Sequence, residues 1–155
     1  MPGRQPLRPP RAAGAGALLL AAAGLLVACG SSAVHVAAPH PSGAVAAHCR
    51  ALVAALPDDL VLGQHRRATS PASPYTAAFG TPPVTVRCGG GLPAHAPTST
   101  VEVVNGVGWL LLPTSGGAEH YVVYGGNTHL AVSIPHAYLP ANVLPALSPL
   151  VQRLG

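Results

Sequence analysis

Hydrophobic positions change period several times along this chain. Ala12–Val27 is a continuous apolar stretch. Val45, Cys49, Leu52, Val53 and Leu56 then follow the i, i+4, i+7, i+8 spacing of one buried helix face. That spacing predicts a helix over Ser42–Leu56, with Ser42 placed to cap it and Pro57 to end it. Asp58–Pro83 has no period and carries Pro71, Pro74, Pro82 and Pro83, so it reads as a long irregular loop. Val84–Cys88 alternates as a short strand.

Two hairpins follow. Thr100–Val104 and Val107–Leu112 flank Asn105-Gly106, a strong two-residue hairpin signal. Tight pairing sets Val101 opposite Leu110 and Glu102 opposite Trp109, and gives Val101, Val103, Leu110 and Leu112 a shared core face. Glu119–Tyr124 and Thr128–Ile134 flank Gly125-Gly126-Asn127. Pairing across Gly125-Gly126 puts Tyr121, Val123, Leu130, Val132 and Ile134 on one face, and His120, Tyr124 and His129 on the other. Val143, Leu147, Leu150 and Leu154 predict a helix over Pro140–Leu154, with a kink or break at Pro145 and Pro149. The expected fold is α+β. It has a mainly antiparallel sheet of two hairpins plus a short strand, with an N-terminal and a C-terminal helix packed on one face.

Composition narrows the class. A length of 155 residues suits one domain. Only 8% of residues are charged and lysine is absent, while glycine and proline number 18 each and 49% of residues are hydrophobic. This profile excludes coiled coil, collagen and a multi-span membrane protein, and fits a small core with Gly/Pro-rich connections.

The N-terminus has the layout of an export signal. Arg4, Arg8 and Arg11, with no acid, precede the apolar stretch. Its 16 residues would span only about 24 Å as a helix, short of a ~30 Å hydrocarbon core. Leu26-Val27-Ala28-Cys29, followed by Gly30-Ser31-Ser32, resembles a bacterial lipobox. The resemblance implies cleavage before Cys29 and a diacylglyceryl anchor on it. Two acyl chains hold a protein stably at a bilayer. The expected organisation is a signal peptide over 1–28, a lipidated cysteine and flexible linker over 29–42, and one globular domain over 43–155. The expected location is the extracytoplasmic face of the cell membrane. Loss of the signal leaves five arginines against four acids, with no basic stripe for nucleic acid.

With Cys29 lipidated, Cys49 and Cys88 remain as a pair for a disulfide in an oxidising compartment. A redox couple or Cys/His metal ligands are the alternatives, and no C-x-x-C spacing supports either.

Gly80-Thr81-Pro82-Pro83-Val84-Thr85-Val86-Arg87-Cys88-Gly89 and Val101-Glu102-Val103-Val104-Asn105-Gly106-Val107-Gly108-Trp109 resemble the motifs of domain-of-unknown-function family 3515, a group of uncharacterised actinobacterial lipoproteins. The Cys49 and Cys88 pair and the late Leu147-Ser148-Pro149 fit the same pattern over Ala44–Leu154. Phe79 stands where the pattern has Trp, and Gly108 where it has a polar residue. The resemblance implies an envelope lipoprotein and carries no catalytic residue.

Candidate chemistry is sparse. Eight histidines, His35, His40, His48, His65, His95, His120, His129 and His136, include no i, i+4 pair and no H-E-x-x-H motif. The best metal geometry is His120 with His129 as diagonal neighbours on one sheet face, joined by His95 or Glu102. No nucleophile-elbow motif stands here, and Asp58-Asp59 reads as a solvated loop. No enzyme activity and no cofactor are implied. Glu102 opposite Trp109 reads as a rim carboxylate, with a buried one as the alternative. Arg50, Arg66, Arg67 and Arg87 are the cations for an anionic ligand; Arg87 reads first as a structural residue holding loop carbonyls, with a ligand or partner role, in a cleft with Phe79 and Trp109, as the alternative. Arg66-Arg67 reads as a solvated loop that can touch anionic headgroups. Two functions follow. One is a lipid-anchored module that binds an envelope protein or cell-wall component, with an exposed apolar patch. The other is a surface binder of a small ligand or metal, with a pocket of convergent Arg or His side chains.

Overall fold

The computed structural model describes residues 3, 32–61, 63–91, 100–113, 116–125 and 129–154. The chain divides into two compact units, Met1–Gly30 and Ser31–Gly155, and every element below belongs to the second. The lipobox, Cys29 and His95 lie outside the described residues.

The element order is β1 (Val34–His35), α1 (Gly43–Ala54), β2 (Arg66–Arg67), β3 (Thr69–Ser70), β4 (Thr76–Phe79), β5 (Val84–Cys88), β6 (Val101–Val104), β7 (Val107–Leu112), β8 (Ala118–Val123), β9 (Leu130–Pro135) and α2 (Pro140–Leu154). A seven-stranded sheet runs in the order β2-β4-β5-β9-β8-β7-β6, and β1 and β3 form a two-stranded sheet. Every pairing in the large sheet is antiparallel, and β1 with β3 is parallel. The fold is α+β, as the hydrophobic pattern predicts.

Both helices cover one face of the large sheet. Leu52, Val53, Leu56, Val143, Leu144, Leu147 and Val151 meet Phe79, Val86, Trp109, Tyr121, Val123, Leu130, Val132 and Ile134 in one core. Cys49 of α1 is joined to Cys88 of β5 by a disulfide, with Cα atoms 5.3 Å apart. Ser42 occupies the N-cap position of α1 but makes no side-chain cap bond.

Several expectations about the elements are corrected. Asp58–Pro83 is not one irregular loop: it holds β2, β3 and β4, and β4 is wholly buried between β2 and β5. Thr76-Ala77-Ala78-Phe79 is too short for periodicity to announce it between Pro74 and Gly80. Of the kink or break expected at Pro145 and Pro149, the break does not occur: α2 is helical across both. Pro149 lacks the N–H that the Pro145 carbonyl would take, and Asn105 Nδ2 donates to that carbonyl instead, at 3.5 Å.

The face shared by Val101, Val103, Leu110 and Leu112 is not the helix-covered core. The register Val101↔Leu110 and Glu102↔Trp109 is as expected, but Trp109 points to the helices. Strand β7 is apolar on both faces, so alternation alone leaves the choice open. Finally, Tyr121 pairs with Val132, two positions from the expected register. An even slip keeps each side chain on its face. The faces therefore hold, but His120 lies opposite Ser133, four residues along β9 from His129. The two histidines are not diagonal neighbours.

Part of the stretch read as a linker lies on the domain. Val34, Val36 and Pro39 are buried, and Val34 and Val36 pack on Ala78.

Candidate functional site

The face of the sheet away from the helices is built in rows set by strand register. Ala78, Thr85, Ser133, His120 and Leu112 form one row across β4, β5, β9, β8 and β7. Thr76, Arg87, Ala131, Val122, Leu110 and Val101 form the next, which reaches β6. Each alternates with a core residue, so these side chains stand on the opposite face. At the centre of the rows the residues are small: Thr85, Ala131 and Ser133.

The segment before α1 crosses this face. Its carbonyl at Ser32 accepts from Arg67 Nη2 at 2.7 Å, and Val34 and Val36 sit on Ala78. Pro41 crosses at Gly89, where an added Cβ would stand 2.6 Å from Pro41 Cγ. Gly89 has φ +101, so both the crossing and the backbone require glycine. Between this strap and the small-residue floor lies a cavity of about 350 Å³. Its polar lining residues are Thr85, Arg87, His120 and Ser133 on the sheet and the exposed His35 on the strap, with Leu112, Val122 and Ala131 as apolar floor. A second, more open cavity of about 240 Å³ lies between His40, Pro41 and Val45 on one side and Gly89 and His129 on the other.

The predicted site residues are divided between the two faces. Arg87 and His120 line the first cavity. Phe79 and Trp109 are 0% exposed in the helix-side core, so they form no cleft with Arg87. Glu102 is exposed on β6 beside Trp109, in keeping with a rim carboxylate. His129 lines the second cavity. Among the described residues no group of three His, Cys, Asp or Glu side chains is placed to hold a metal ion.

Arg66 and Arg67 are not a solvated loop. Arg66 Nη2 donates to the Val53 carbonyl at 2.9 Å and closes the end of α1, with its guanidinium 5.8 Å from the Phe79 ring centroid. Arg67 Nη1 donates to Gly80 O and Thr81 Oγ1, both at 3.0 Å. Asp59 bonds the ring of His65. Tyr121 donates to Glu119 Oε2 at 3.0 Å, and burial, together with the carboxylates of Glu119 and Glu102, pushes its phenol well above the ordinary range.

Sequence reasoning missed His35, Thr85 and Ser133. The alternation of Val84–Cys88 already sets Thr85 and Arg87 on one face. No local signal placed His35 there, because its position depends on a strap held by distant residues.

A family-wide sequence profile described as Protein of unknown function (DUF3515) matches residues 13–154. No curated protein matches the chain, and no solved structure does.

Proposed function

Because the chain belongs to the DUF3515 family, whose description assigns no activity, its geometry carries the functional reading, and we propose a lipid-anchored, extracytoplasmic interaction module of the cell envelope. Its partner on this reading is another envelope protein or a cell-wall component. The observation that carries it is an apolar patch at the edge of the open sheet face. Val101, Val103 and Tyr124 are 39%, 72% and 58% exposed. The Tyr124 N–H donates to the Gly108 carbonyl at 2.8 Å, and Gly108 pairs with Val103. Gly108 adds no side chain between Tyr124 and Val103, so the patch has a flat centre. Strand β6 is also the last of its sheet. An apolar edge strand is a template for an added strand, and covering apolar surface is favourable by about 25 cal/mol per Å².

The location rests on the lipobox-like Leu26–Cys29 and on the basic, then apolar, segment before it. The Cys49–Cys88 disulfide suits an oxidising compartment. Cross-linking of the native chain in intact cells, followed by purification and mass spectrometry, tests the reading. A partner is expected with the native chain, absent from Cys29→Ser and sharply depleted from Val103→Asp. The same partners with Val103→Asp would remove the patch from the reading. Tight membrane association of Cys29→Ser would remove the lipid anchor.

A further inference from the structure

The cavity under the strap has a charge pattern separate from the apolar patch. Arg87 is the one formally charged side chain among its lining residues. Arg66 and Arg67 are occupied by backbone carbonyls. Arg87 is exposed and, like Arg50 and Arg153, has no hydrogen-bond or ion-pair partner among the described residues, but it alone of the three lines the cavity. The chain's four acids are all placed elsewhere. Asp59 bonds His65 and Glu119 bonds Tyr121. Asp58 is exposed just after α1, and Glu102 is exposed on β6. None of them lines the cavity.

The same cavity is lined by two histidines, His35 and His120, and two hydroxyl residues, Thr85 and Ser133. All four can donate hydrogen bonds, and they come from the strap and from three strands of the sheet. A guanidinium is a planar fork matched to two oxygens of a phosphate or carboxylate. Register puts Ala131 between Arg87 and Val122. The guanidinium stem and the valine thus flank a shallow apolar floor. The volume of about 350 Å³ exceeds a bare ion and falls in the small-ligand range, which begins near ~300 Å³.

We propose that this cavity binds a small organic oxyanion, its phosphate or carboxylate group held by Arg87 and His120 and its carbon skeleton resting on Ala131, Val122 and Leu112. The anionic group has two sources, a soluble metabolite or a lipid headgroup. His35 stands six residues after Cys29, and six extended residues reach at most ~20 Å, so a lipidated chain would place the strap within reach of headgroups.

The full chain in detergent, titrated in a thermal-shift assay and by calorimetry, tests this. The probes are inorganic phosphate, glycerol 3-phosphate, succinate and soluble short-chain phosphatidylglycerol, each against chloride at equal ionic strength. At least one probe is expected to raise the melting temperature saturably. Arg87→Gln is expected to weaken that binding at least tenfold, His120→Gln severalfold, and Arg50→Gln not at all. Binding of glycerol 3-phosphate or succinate assigns a soluble ligand, and binding of the short-chain lipid alone assigns a headgroup. No saturable shift with any probe would overturn the proposal, as would affinity unchanged in Arg87→Gln. This site is independent of the Val103 patch, so failure of one leaves the other standing.

Discussion

Trp109 carries its indole N–H into the centre of the core, where Ser148 Oγ accepts it at 3.1 Å. Ser148 in turn donates to the Leu144 carbonyl at 2.8 Å. The chain of two bonds satisfies the largest buried side chain through one small residue of α2. Ser148→Ala should leave the indole N–H unpaired and lower stability by about 1–3 kcal/mol, read by chemical denaturation. Tyr121 makes a second residue-scale prediction. Burial, then the nearby carboxylates, disfavours its phenolate in the folded state. The unfolded phenol releases its proton near pH ~10. Above that pH the folded chain binds more protons than the unfolded one. The Tyr121 contribution to stability is therefore fully present below pH ~10 and is lost above it, by up to about 1.4 kcal/mol per pH unit. Lysine is absent, so few other groups titrate there. Urea unfolding at pH 9, 10 and 11 should show this slope, and Tyr121→Phe should reduce it. Such bonds are illegible in sequence: Arg66 and Arg67 read alike, yet one closes a helix and the other ties down the strap.

At the scale of elements, helix α2 and the β6–β7 turn support one another. Asn105 and Gly106 have φ of 48 and 76, the left-handed pair of a tight hairpin turn, and glycine suits the second position. The Asn105 side chain donates to the carbonyl that Pro149 leaves without a helical donor, while Gln152 donates to the Asn105 carbonyl. Asn105→Gly keeps the turn geometry and removes that side-chain donor, at a cost of about 0.5–1.5 kcal/mol. In a Pro149→Ala background the helix supplies its own N–H, so the cost should shrink toward zero. A double-mutant cycle by urea denaturation measures this coupling. The Asn-Gly hairpin and both helices were legible because their signals are local. The β8–β9 register and strand β4 were not, since a loop length and a fully buried strand are settled by partners distant in sequence.

For the whole molecule, the disulfide joins the two layers. It links α1 to the central sheet across 39 residues, and chain entropy values such a closure at about 4 kcal/mol. Cys49→Ser or Cys88→Ser should therefore lower the melting temperature by roughly 10 °C or more under oxidising conditions, and reductant should bring the native chain to the same value. An unchanged melting point would leave the link without a structural role. The layers also explain the site. Among the described residues, helices cover one face and the segment before α1 covers part of the other, which also carries the Arg87 cavity and the Val103 patch. By itself the sequence determined that this is an α+β fold with helices at each end, which residues alternate, and that Cys49 and Cys88 stand ready to pair. These follow from period, turn chemistry and cysteine count, each readable within a few residues. Only the tertiary structure decided that Trp109 rather than Leu110 meets the helices, that Arg66 and Arg67 are half-buried and tied to backbone carbonyls, and that His35 and Arg87 line one cavity. Alternation says that a strand has two faces, and packing against distant elements decides which of them water keeps.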